Sequence, residues 1–215
     1  MKTNNQVELY FKHNKFFDLK NKLEINTLLS AYCQGIFPMS DESGEINWFC
    51  PDPRAIIPIS TYKPSKSLRP IINRKEFDIR INQQFEQVMR YCALPRKNDG
   101  GVWISEDMII AFTQLHKIGF AHSVEAYQNN ELVGGLYGVT IGGVFYGESM
   151  FSHVSNASKV AFHQLITILK ENDFVLLDSQ FMNDNVKRYG AIEITKKQFE
   201  EILALGISKK CEFKM

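Results

Sequence analysis

The segment of residues 121–180 places the strongest constraint on the fold of this chain. Its first half contains three strand-like runs of alternating apolar and polar residues, separated by turns at residues 128–131 and at Gly142-Gly143. A two-residue glycine turn between such runs is typical of a β-hairpin. An amphipathic helix follows, and then a strand whose apolar start indicates burial on both faces. This order of elements predicts an α+β fold with a mixed sheet.

Three polar residues lie at the ends of these apolar strands. Glu148 ends one strand, and Asp178 and Gln180 end another. Because an unpaired buried charge is costly, such residues are candidates for chemistry. Residues i and i+2 share a face of a strand, so the Asp178 carboxylate can orient the Gln180 amide with its carbonyl oxygen as an acceptor. Two other readings stay open, since the pair is also suited to capping the turn at Asn183 and Glu148 to pairing with an arginine or lysine.

Composition argues against several classes of protein. With 215 residues, of which 44% are hydrophobic, the chain can bury a full core. No apolar run is long enough for a membrane helix, and the N-terminus lacks the apolar stretch of a signal peptide. The four cysteines and five histidines have no metal-binding spacing. We therefore expect a cytoplasmic monomer with no membrane partner, metal or disulfide framework.

Proline-rich and glycine-rich segments divide the chain into two predicted units. Residues 1–62 are expected to form a small N-terminal domain, and residues 63–215 the main domain. In the first unit a helix is predicted from Asn26 or Thr27 to Gly35. Later helix caps are predicted at Asn82, at Ser105, at Ser155 or Asn156, and in a capping box of Thr195 with Gln198.

A basic stretch covers residues 60–97, although the net charge of the whole chain is only +1. The stretch has three acidic residues and a local charge of +6. It is either a solvated surface that happens to be basic or a surface for a phosphate backbone, where counterion release would supply affinity. Its nine basic residues are Lys63, Lys66, Arg69, Arg74, Lys75, Arg80, Arg90, Arg96 and Lys97.

Apolar and glycine residues of the central segment have an ordinary structural reading. Leu136, Phe145 and Met150 come from adjacent predicted strands, and Leu165 and Leu169 from the helix that follows, which by itself indicates core. The glycine-rich run lacks the Gly-Lys-Ser/Thr of a phosphate loop and leads into another strand. Its glycines indicate bulges or a close approach of the backbone to a ligand.

Longer motifs give the chain a resemblance to a known family. Over residues 28–203 they stand in the order and spacing of the leucyl/phenylalanyl-tRNA–protein transferases: AYCQGIFPM, WFCPDPRAII, CALPR, VWIS, LHKIGFAHSVEAY, ELVGGLYGV, GESMFS, NASK and LLDSQ. The resemblance implies a cytoplasmic enzyme that moves leucine, phenylalanine or methionine from aminoacyl-tRNA onto proteins beginning with lysine or arginine. Those proteins are thereby marked for N-degron proteolysis. It also implies a main domain like the acyl-CoA N-acyltransferases, working without CoA, metal, ATP or another cofactor.

The resemblance further implies roles for individual residues. Asp178 would polarise Gln180, Gln180 would accept a proton from the attacking amine, and Glu148 would help to hold the cationic N-terminus. Trp48, Phe49 and Trp103 match aromatic positions near the terminal adenosine of tRNA. The tRNA backbone would contact Lys63, Lys66, Arg69, Arg74, Lys75, Arg80 and Arg96. The pocket for the transferred side chain would be lined by Leu136, Phe145, Met150, Leu165, Leu169 and Leu177.

The chain departs from the family pattern at several positions. Phe112 stands where a tyrosine is common, Asn185-Val186 where a histidine-containing pair is usual, and Met39 where a tryptophan often follows GIFP. These differences bear on amino-acid preference and tRNA contact. The alternatives are an acyl-CoA-dependent N-acyltransferase, which would need a pyrophosphate loop, a non-catalytic tRNA-binding homologue, and a peptidoglycan-bridge aminoacyltransferase, which would be a longer chain.

Overall fold

The computed structural model describes residues 23–41, 43–95 and 103–215. The helices are α1 Ile25–Cys33, α2 Arg69–Asn73, α3 Phe85–Cys92, α4 Glu106–Lys117, α5 Ala157–Glu171, α6 Asp184–Arg188 and α7 Lys196–Ser208. The strands are β1 Phe37–Ser40, β2 Ile46–Phe49, β3 Arg54–Ile56, β4 Asp78–Ile81, β5 Ala121–Gln128, β6 Glu131–Ile141, β7 Val144–Ser152, β8 Leu176–Gln180 and β9 Ile192–Ile194.

Seven of the described strands form one mixed sheet, in the order β4-β5-β6-β7-β8-β3-β9. Strands β7 and β8 are parallel, because the α5 crossover joins them, and the other neighbours are antiparallel. Strands β1 and β2 form a separate antiparallel pair after α1. The predicted α+β class with a mixed sheet is confirmed.

Helices cover both faces of the large sheet. One buried cluster joins apolar residues of α1, α3, α4 and α7 to the first face, and the other joins α5 to the second face. Strand β7 contributes to both clusters, since successive side chains of a strand point to opposite faces. Phe145 lies in the α5 cluster and Tyr146 in the opposite one. The sheet therefore separates two cores whose side chains alternate along the same strands.

Local turn chemistry agrees with the sequence at both hairpins. Asn129 and Asn130 have φ of 52° and 65° between β5 and β6, and Gly142 has φ of 58° between β6 and β7. These left-handed conformations fit the tight hairpin turns that the sequence predicts. The Thr195 and Gln198 capping box is also present, and the Ser105 side chain accepts a hydrogen bond from the N–H of Met108.

Two expectations about element limits need correction. Helix α1 begins at Ile25, one residue before the first expected cap, and helix α3 begins at Phe85 with Gln84 as its N-cap. Asn82 is not the cap, because β4 extends to Ile81 and the Asn82 side chain accepts from the N–H of Ser123. Strand β3 lies in the large sheet although it precedes residue 62. The division at residues 62 and 63 stays a prediction. With that division, β3 would belong to the first unit by sequence while pairing with β8 and β9 of the second.

The glycines of β6 serve packing within the protein. A Cβ on Gly134 would lie 2.5 Å from the Cβ of Ala157, at the start of α5. A Cβ on Gly138 would lie 2.4 Å from the ring of Phe145, and the ladder shifts register between Tyr137 and Gly138. A bulge and close helix packing thus account for these two glycines, without any approach by a ligand.

A buried carboxylate anchors the start of α3 to the sheet. Glu125 of β5 is fully buried, and its Oε1 accepts from the N–H groups of Gln83 and Gln84 at 3.0 and 2.9 Å and from the Ser123 hydroxyl at 2.7 Å. Its Oε2 accepts from the Tyr127 hydroxyl at 2.7 Å. Helix α3 has no side-chain cap of its own, so Glu125 satisfies backbone donors at its N-terminus.

We expect Glu125→Ala to lower the free energy of unfolding by about 3 kcal/mol, because the buried hydroxyls of Ser123 and Tyr127 and the partly buried N–H groups of Gln83 and Gln84 lose their acceptor. Urea denaturation would measure the change. Glu125→Gln keeps an acceptor oxygen and should cost less, and exposed Glu131→Ala on β6 should change the free energy by less than about 0.5 kcal/mol. Equal stability of Glu125→Ala and Glu131→Ala would contradict this role.

Candidate active site

The middle of β7 and the carboxyl end of β8 bring two predicted site residues together. Glu148 was expected at the end of a strand, but it lies within β7, which continues to Ser152. The strands are parallel neighbours with Tyr146 opposite Asp178, so Glu148 and Gln180 each lie two residues further on. Gln180 Nε2 donates to Glu148 Oε1 at 3.1 Å. Both side chains are buried, with exposed fractions of 7% and 9%. Convergent polar groups at this edge of a sheet are typical of a ligand site.

Asp178 is held by an arginine that the sequence analysis did not select. Arg54 of β3 donates from Nε to Oδ1 at 2.9 Å and from its Nη2 to Oδ2 at 2.6 Å, and the two residues are 1% and 0% exposed. The guanidinium also lies 4.7 and 4.5 Å from the ring centroids of Phe37 and Phe199. The bidentate, charge-assisted pair and the two aromatic rings offset part of the desolvation of both charges, while Arg54 Nη1 is buried without a hydrogen-bond partner among the described residues.

The Asp178 carboxylate contacts the backbone N–H of Gln180. The predicted polarising role required a contact with the side-chain amide of Gln180. Asp178 Oδ1 accepts from the Gln180 N–H at 2.9 Å, where Gln180 has a left-handed φ of 66°. The N–H bond holds the backbone in a conformation that non-glycine residues rarely adopt. The capping alternative also fails, because Asn183 caps α6 with its own side chain.

The Gln180 side chain is oriented by Glu148. Since Nε2 donates to Glu148, the carbonyl oxygen Oε1 is at the other end of the planar amide. Glu148 Oε1 also accepts from the Tyr32 hydroxyl at 2.7 Å. The alternative partner for Glu148, an arginine or lysine within ion-pair distance, is not found among the described residues. Two neutral donors hold this carboxylate.

Burial raises the pKa of Glu148 from about 4.5 to about 7. The hydrogen bonds from Tyr32 and Gln180 and the charge of Arg54 lower the pKa, and the charge of Asp178 raises it, but desolvation is the largest effect. In the described part of the chain, Glu148 Oε2 is buried without a hydrogen-bond partner. This oxygen has unused acceptor capacity, although it has almost no solvent-accessible surface in this conformation.

Tyr32 and Tyr146 are further site residues that sequence reasoning missed. Tyr146 donates its hydroxyl to the Tyr32 carbonyl oxygen at 2.6 Å, and the ring centroids lie 4.8 Å apart. Helix α1 is thereby bonded to the first half of β7. For Arg54 a signal existed, because it stands in the quoted motif WFCPDPRAII and a buried aspartate needs a cation. Tyr32 also stands in a quoted motif, AYCQGIFPM, whereas Tyr146 lies in none of them.

The six residues predicted to line the side-chain pocket lie in one apolar region. Five are buried in the cluster on the α5 face of the sheet, and Met150 packs against it. Tyr189 places its hydroxyl 3.5 Å from the Met150 sulfur. The buried five are Leu136, Phe145, Leu165, Leu169 and Leu177.

The predicted adenosine-contacting aromatics lie on the other side of the site. Trp48, Phe49 and Trp103 are partly buried and pack against the cluster that contains Tyr32. Trp48 and Phe49 belong to β2, and the Trp103 carbonyl accepts from the Ser40 N–H and hydroxyl of β1. The exposed ring of Phe181, next to Gln180, lies 6.0 Å from that of Phe49. An aromatic surface thus reaches from β2 to the end of β8.

The basic stretch is partly neutralised. Arg74 pairs with Glu76, Arg80 with Asp78 and Arg90 with Glu86 and Glu106. Arg96 and Lys97 lie outside the described residues. Four basic side chains of the stretch are exposed and have no ion pair among the described residues. They are Lys63, Lys66, Arg69 and Lys75.

Residues 23–41, 43–95 and 103–215 contain neither a membrane-spanning helix nor a metal-binding cluster. None of their helices is long and apolar enough to cross a membrane. No group of three or more His, Cys, Asp or Glu side chains there is placed to hold a metal ion.

Comparison with known proteins identifies the family. A family model described as leucyl/phenylalanyl-tRNA protein transferase matches residues 56–204, and a model of its N-terminal domain matches residues 21–52. The chain belongs to the leucyl/phenylalanyl-tRNA–protein transferase family. It is therefore an aminoacyltransferase, and the resemblance in its motifs is confirmed.

Individual relatives match over most of their length. The leucyl/phenylalanyl-tRNA–protein transferase of Chlorobaculum tepidum is 45% identical over 192 residues, which is 89% of this chain and 99% of the relative. That of Chlorobaculum parvum is 46% identical with the same coverage. The relative from Pseudoalteromonas atlantica is 44% identical over 177 residues, or 82% of this chain and 76% of its own length.

A similar solved structure is that of L-PGS from Bacillus licheniformis. It covers 83% of this chain and 67% of its own, with 16% sequence identity and a TM-score of 0.45. A score in this range does not by itself establish a common fold.

We expect the pKa of Glu148 to make stability depend on pH. Between about pH 4.5 and 7 the folded protein binds this proton more tightly than the unfolded chain, so wild-type stability falls as pH rises. Glu148→Gln keeps both hydrogen bonds to Oε1 without the charge. The unfolding free energy of Glu148→Gln minus that of the wild type should therefore be about 2 kcal/mol larger at about pH 7.5 than at about pH 5.

Urea denaturation of the two proteins at both pH values tests this expectation. The same pH dependence in wild type and Glu148→Gln would show that the buried carboxyl is not the titrating group.

Proposed function

We propose that this enzyme transfers leucine, phenylalanine or methionine from aminoacyl-tRNA to the N-terminal amine of proteins that begin with lysine or arginine, which marks them for N-degron proteolysis. The relatives' names support the leucyl and phenylalanyl donors. The acceptor residues, the methionyl donor and the degradation pathway belong to the proposal. The hydrogen bond from Gln180, at the end of β8, to Glu148 of the parallel neighbour β7 is the observation that carries it.

The reaction is the attack of an amine on an activated ester. The α-amine nitrogen bonds to the ester carbonyl carbon, the carbon–oxygen bond to the terminal ribose breaks, and the amine's proton passes finally to the ribose oxygen. The amine attacks only as the neutral base, so an N-terminal ammonium must first lose a proton. Positioning of the two reactants supplies a large part of the rate enhancement.

Gln180 and Glu148 are suited to receive the amine. With Nε2 bonded to Glu148, the Gln180 carbonyl oxygen can accept a proton from the amine as it attacks. Glu148 Oε2 is an acceptor for the cationic N-terminus. A carboxyl with a pKa of about 7 can hold an ammonium as its anion and can also take a proton near neutral pH.

Asp178 acts in this proposal as a positioning residue. Its bonds to Arg54 and to the Gln180 N–H support the unusual backbone conformation at Gln180, and so set where the amide lies. This differs from direct polarisation of the amide. A substrate-assisted route, in which Gln180 positions the amine and does not take its proton, uses the same arrangement.

The apolar residues of the α5 face supply selectivity for the transferred side chain. Leu136, Phe145, Met150, Leu165, Leu169 and Leu177 offer only apolar contacts to a leucine or phenylalanine. Discrimination by one methylene is worth only about 1–3 kcal/mol, so rejection of valine is expected to be partial. Trp48, Phe49 and Trp103 would stack on the terminal adenosine, which requires no sequence-specific hydrogen bonds.

The function is tested with radiolabelled Leu-, Phe- and Met-tRNA, each offered to a protein that begins with Arg, Lys or Met. We expect transfer to the Arg and Lys proteins, and a loss of about 10²–10⁴-fold in Gln180→Ala with unchanged thermal unfolding. Ser179→Ala, the half-buried neighbour on β8, is the matched control and should retain activity. Transfer to no acceptor by the wild type would refute the proposed function, and full activity of Gln180→Ala would refute the role of Gln180.

We also expect tRNA affinity to depend on the unpaired lysines of the basic stretch. Lys63→Ala with Lys66→Ala should lower the slope of log affinity against log salt by roughly one per removed phosphate contact. Filter binding of aminoacylated tRNA at several salt concentrations measures the slope. Lys197→Ala with Lys210→Ala removes the same charge from exposed positions outside the stretch and should leave the slope unchanged. Equal slopes for the two double variants would contradict this surface.

A further inference from the structure

The C-terminal segment of residues 209–215 follows α7 and lies beyond the part of the chain matched by the family model. Lys214 accepts at its carbonyl oxygen from Asn172 Nδ2 at 2.9 Å, at the end of α5. Cys211 places its sulfur 3.5 Å from the carbonyl oxygen of Asp173. These contacts hold the segment against the turn between α5 and β8, with Phe213 between them in sequence.

Phe213 is the middle ring of a three-ring stack. One neighbour is His122 of β5, with ring centroids 4.5 Å apart and planes at 22°. The other is Phe145 of β7, at 5.5 Å and 27°. Phe174, just before β8, meets Phe213 edge-on at 6.5 Å. Phe213 thus connects the C-terminal segment to a residue of the proposed side-chain pocket.

The backbone of β6 limits the position of Phe145 as well. Gly138 lies opposite His122 in the ladder, and a Cβ on it would be 2.4 Å from the Phe145 ring. The Phe145 ring therefore occupies space that a side chain at residue 138 would fill. Contact with Gly138 and stacking on Phe213 leave this buried ring little freedom to move.

His122 provides a fixed support for the stack. Asn82 Nδ2 lies 3.1 Å from His122 Nδ1, which makes Nδ1 the acceptor and the ring neutral. Burial, with a contribution from the charge of His116, lowers the pKa of His122 to about 4. The ring is therefore uncharged at neutral pH, and stacking on Phe213 requires no desolvation of a cation.

We propose that Phe213 is a specificity-determining positioning residue that sets the depth of the side-chain pocket by holding the Phe145 ring in place. The inference rests on the proposed function, because it assumes that Phe145 lines the pocket. Removal of the Phe213 ring leaves space behind Phe145, and the ring can withdraw from the pocket. A deeper pocket accommodates phenylalanine better and contacts leucine less well.

The test compares kcat/KM for Phe-tRNA and Leu-tRNA in the full chain, with one protein that begins with arginine as the acceptor. We expect Phe213→Ala to raise the Phe-to-Leu ratio by about fivefold or more, and Phe213→Leu, which keeps part of the ring's volume, by about twofold. Phe120→Ala is the matched control. It makes the same change at a partly buried position against the opposite cluster, and the ratio should equal that of the wild type within the error of the assay.

The ratio separates this role from a general contribution to stability, because lost stability lowers both rates together. Equal losses with both donors, or an unchanged ratio, would overturn the inference while leaving the proposed function intact. Absence of transfer by the wild type would instead refute the proposed function. If Phe213→Ala does not fold, as judged by thermal unfolding, Phe213→Leu decides, and an unchanged ratio in that variant rejects the inference.

Discussion

The buried ion pair of Arg54 and Asp178 is the interaction on which the arrangement of the site depends. It joins β3 to β8, and the same carboxylate holds the Gln180 N–H at a left-handed backbone position. Both charges are removed from water, so the pair is stable only because its geometry is bidentate and the guanidinium lies between Phe37 and Phe199. Loss of either partner would leave a buried charge, and loss of Asp178 would also remove the acceptor of the Gln180 N–H.

The sheet assigns different tasks to its two faces. On one face, helix α1 brings Tyr32 to Glu148, and the Tyr146 hydroxyl bonds the Tyr32 carbonyl. On the other face, α5 covers the apolar residues proposed to receive the transferred side chain. Because side chains alternate along β7, Phe145 and Tyr146 serve opposite faces from adjacent positions. The hydrogen-bonding residues and the proposed pocket residues can therefore lie close together on the same strands while they belong to separate buried clusters.

The basic stretch has fewer unpaired positive charges than its composition indicates. Acidic neighbours pair with Arg74, Arg80 and Arg90, which reduces the positive field at those positions. The exposed residues Lys63 and Lys66 have no ion pair among the described residues. A phosphate backbone is attracted by charge that nearby carboxylates do not screen, so a count of basic residues overestimates this surface.

The sequence by itself determined the hairpins, the mixed sheet and the positions of Asp178 and Gln180 in the last part of β8. It predicted Glu148 at a strand end, whereas β7 continues to Ser152. Alternation, glycine turns and capping boxes act between residues a few positions apart, and so they can be read locally. Only the tertiary structure decided which groups these three residues contact. Arg54 is 124 positions from Asp178, and Tyr32 is 116 positions from Glu148. Such partners are chosen by how the strands and helices pack, because a buried charge or hydroxyl bonds to whichever group the fold places beside it.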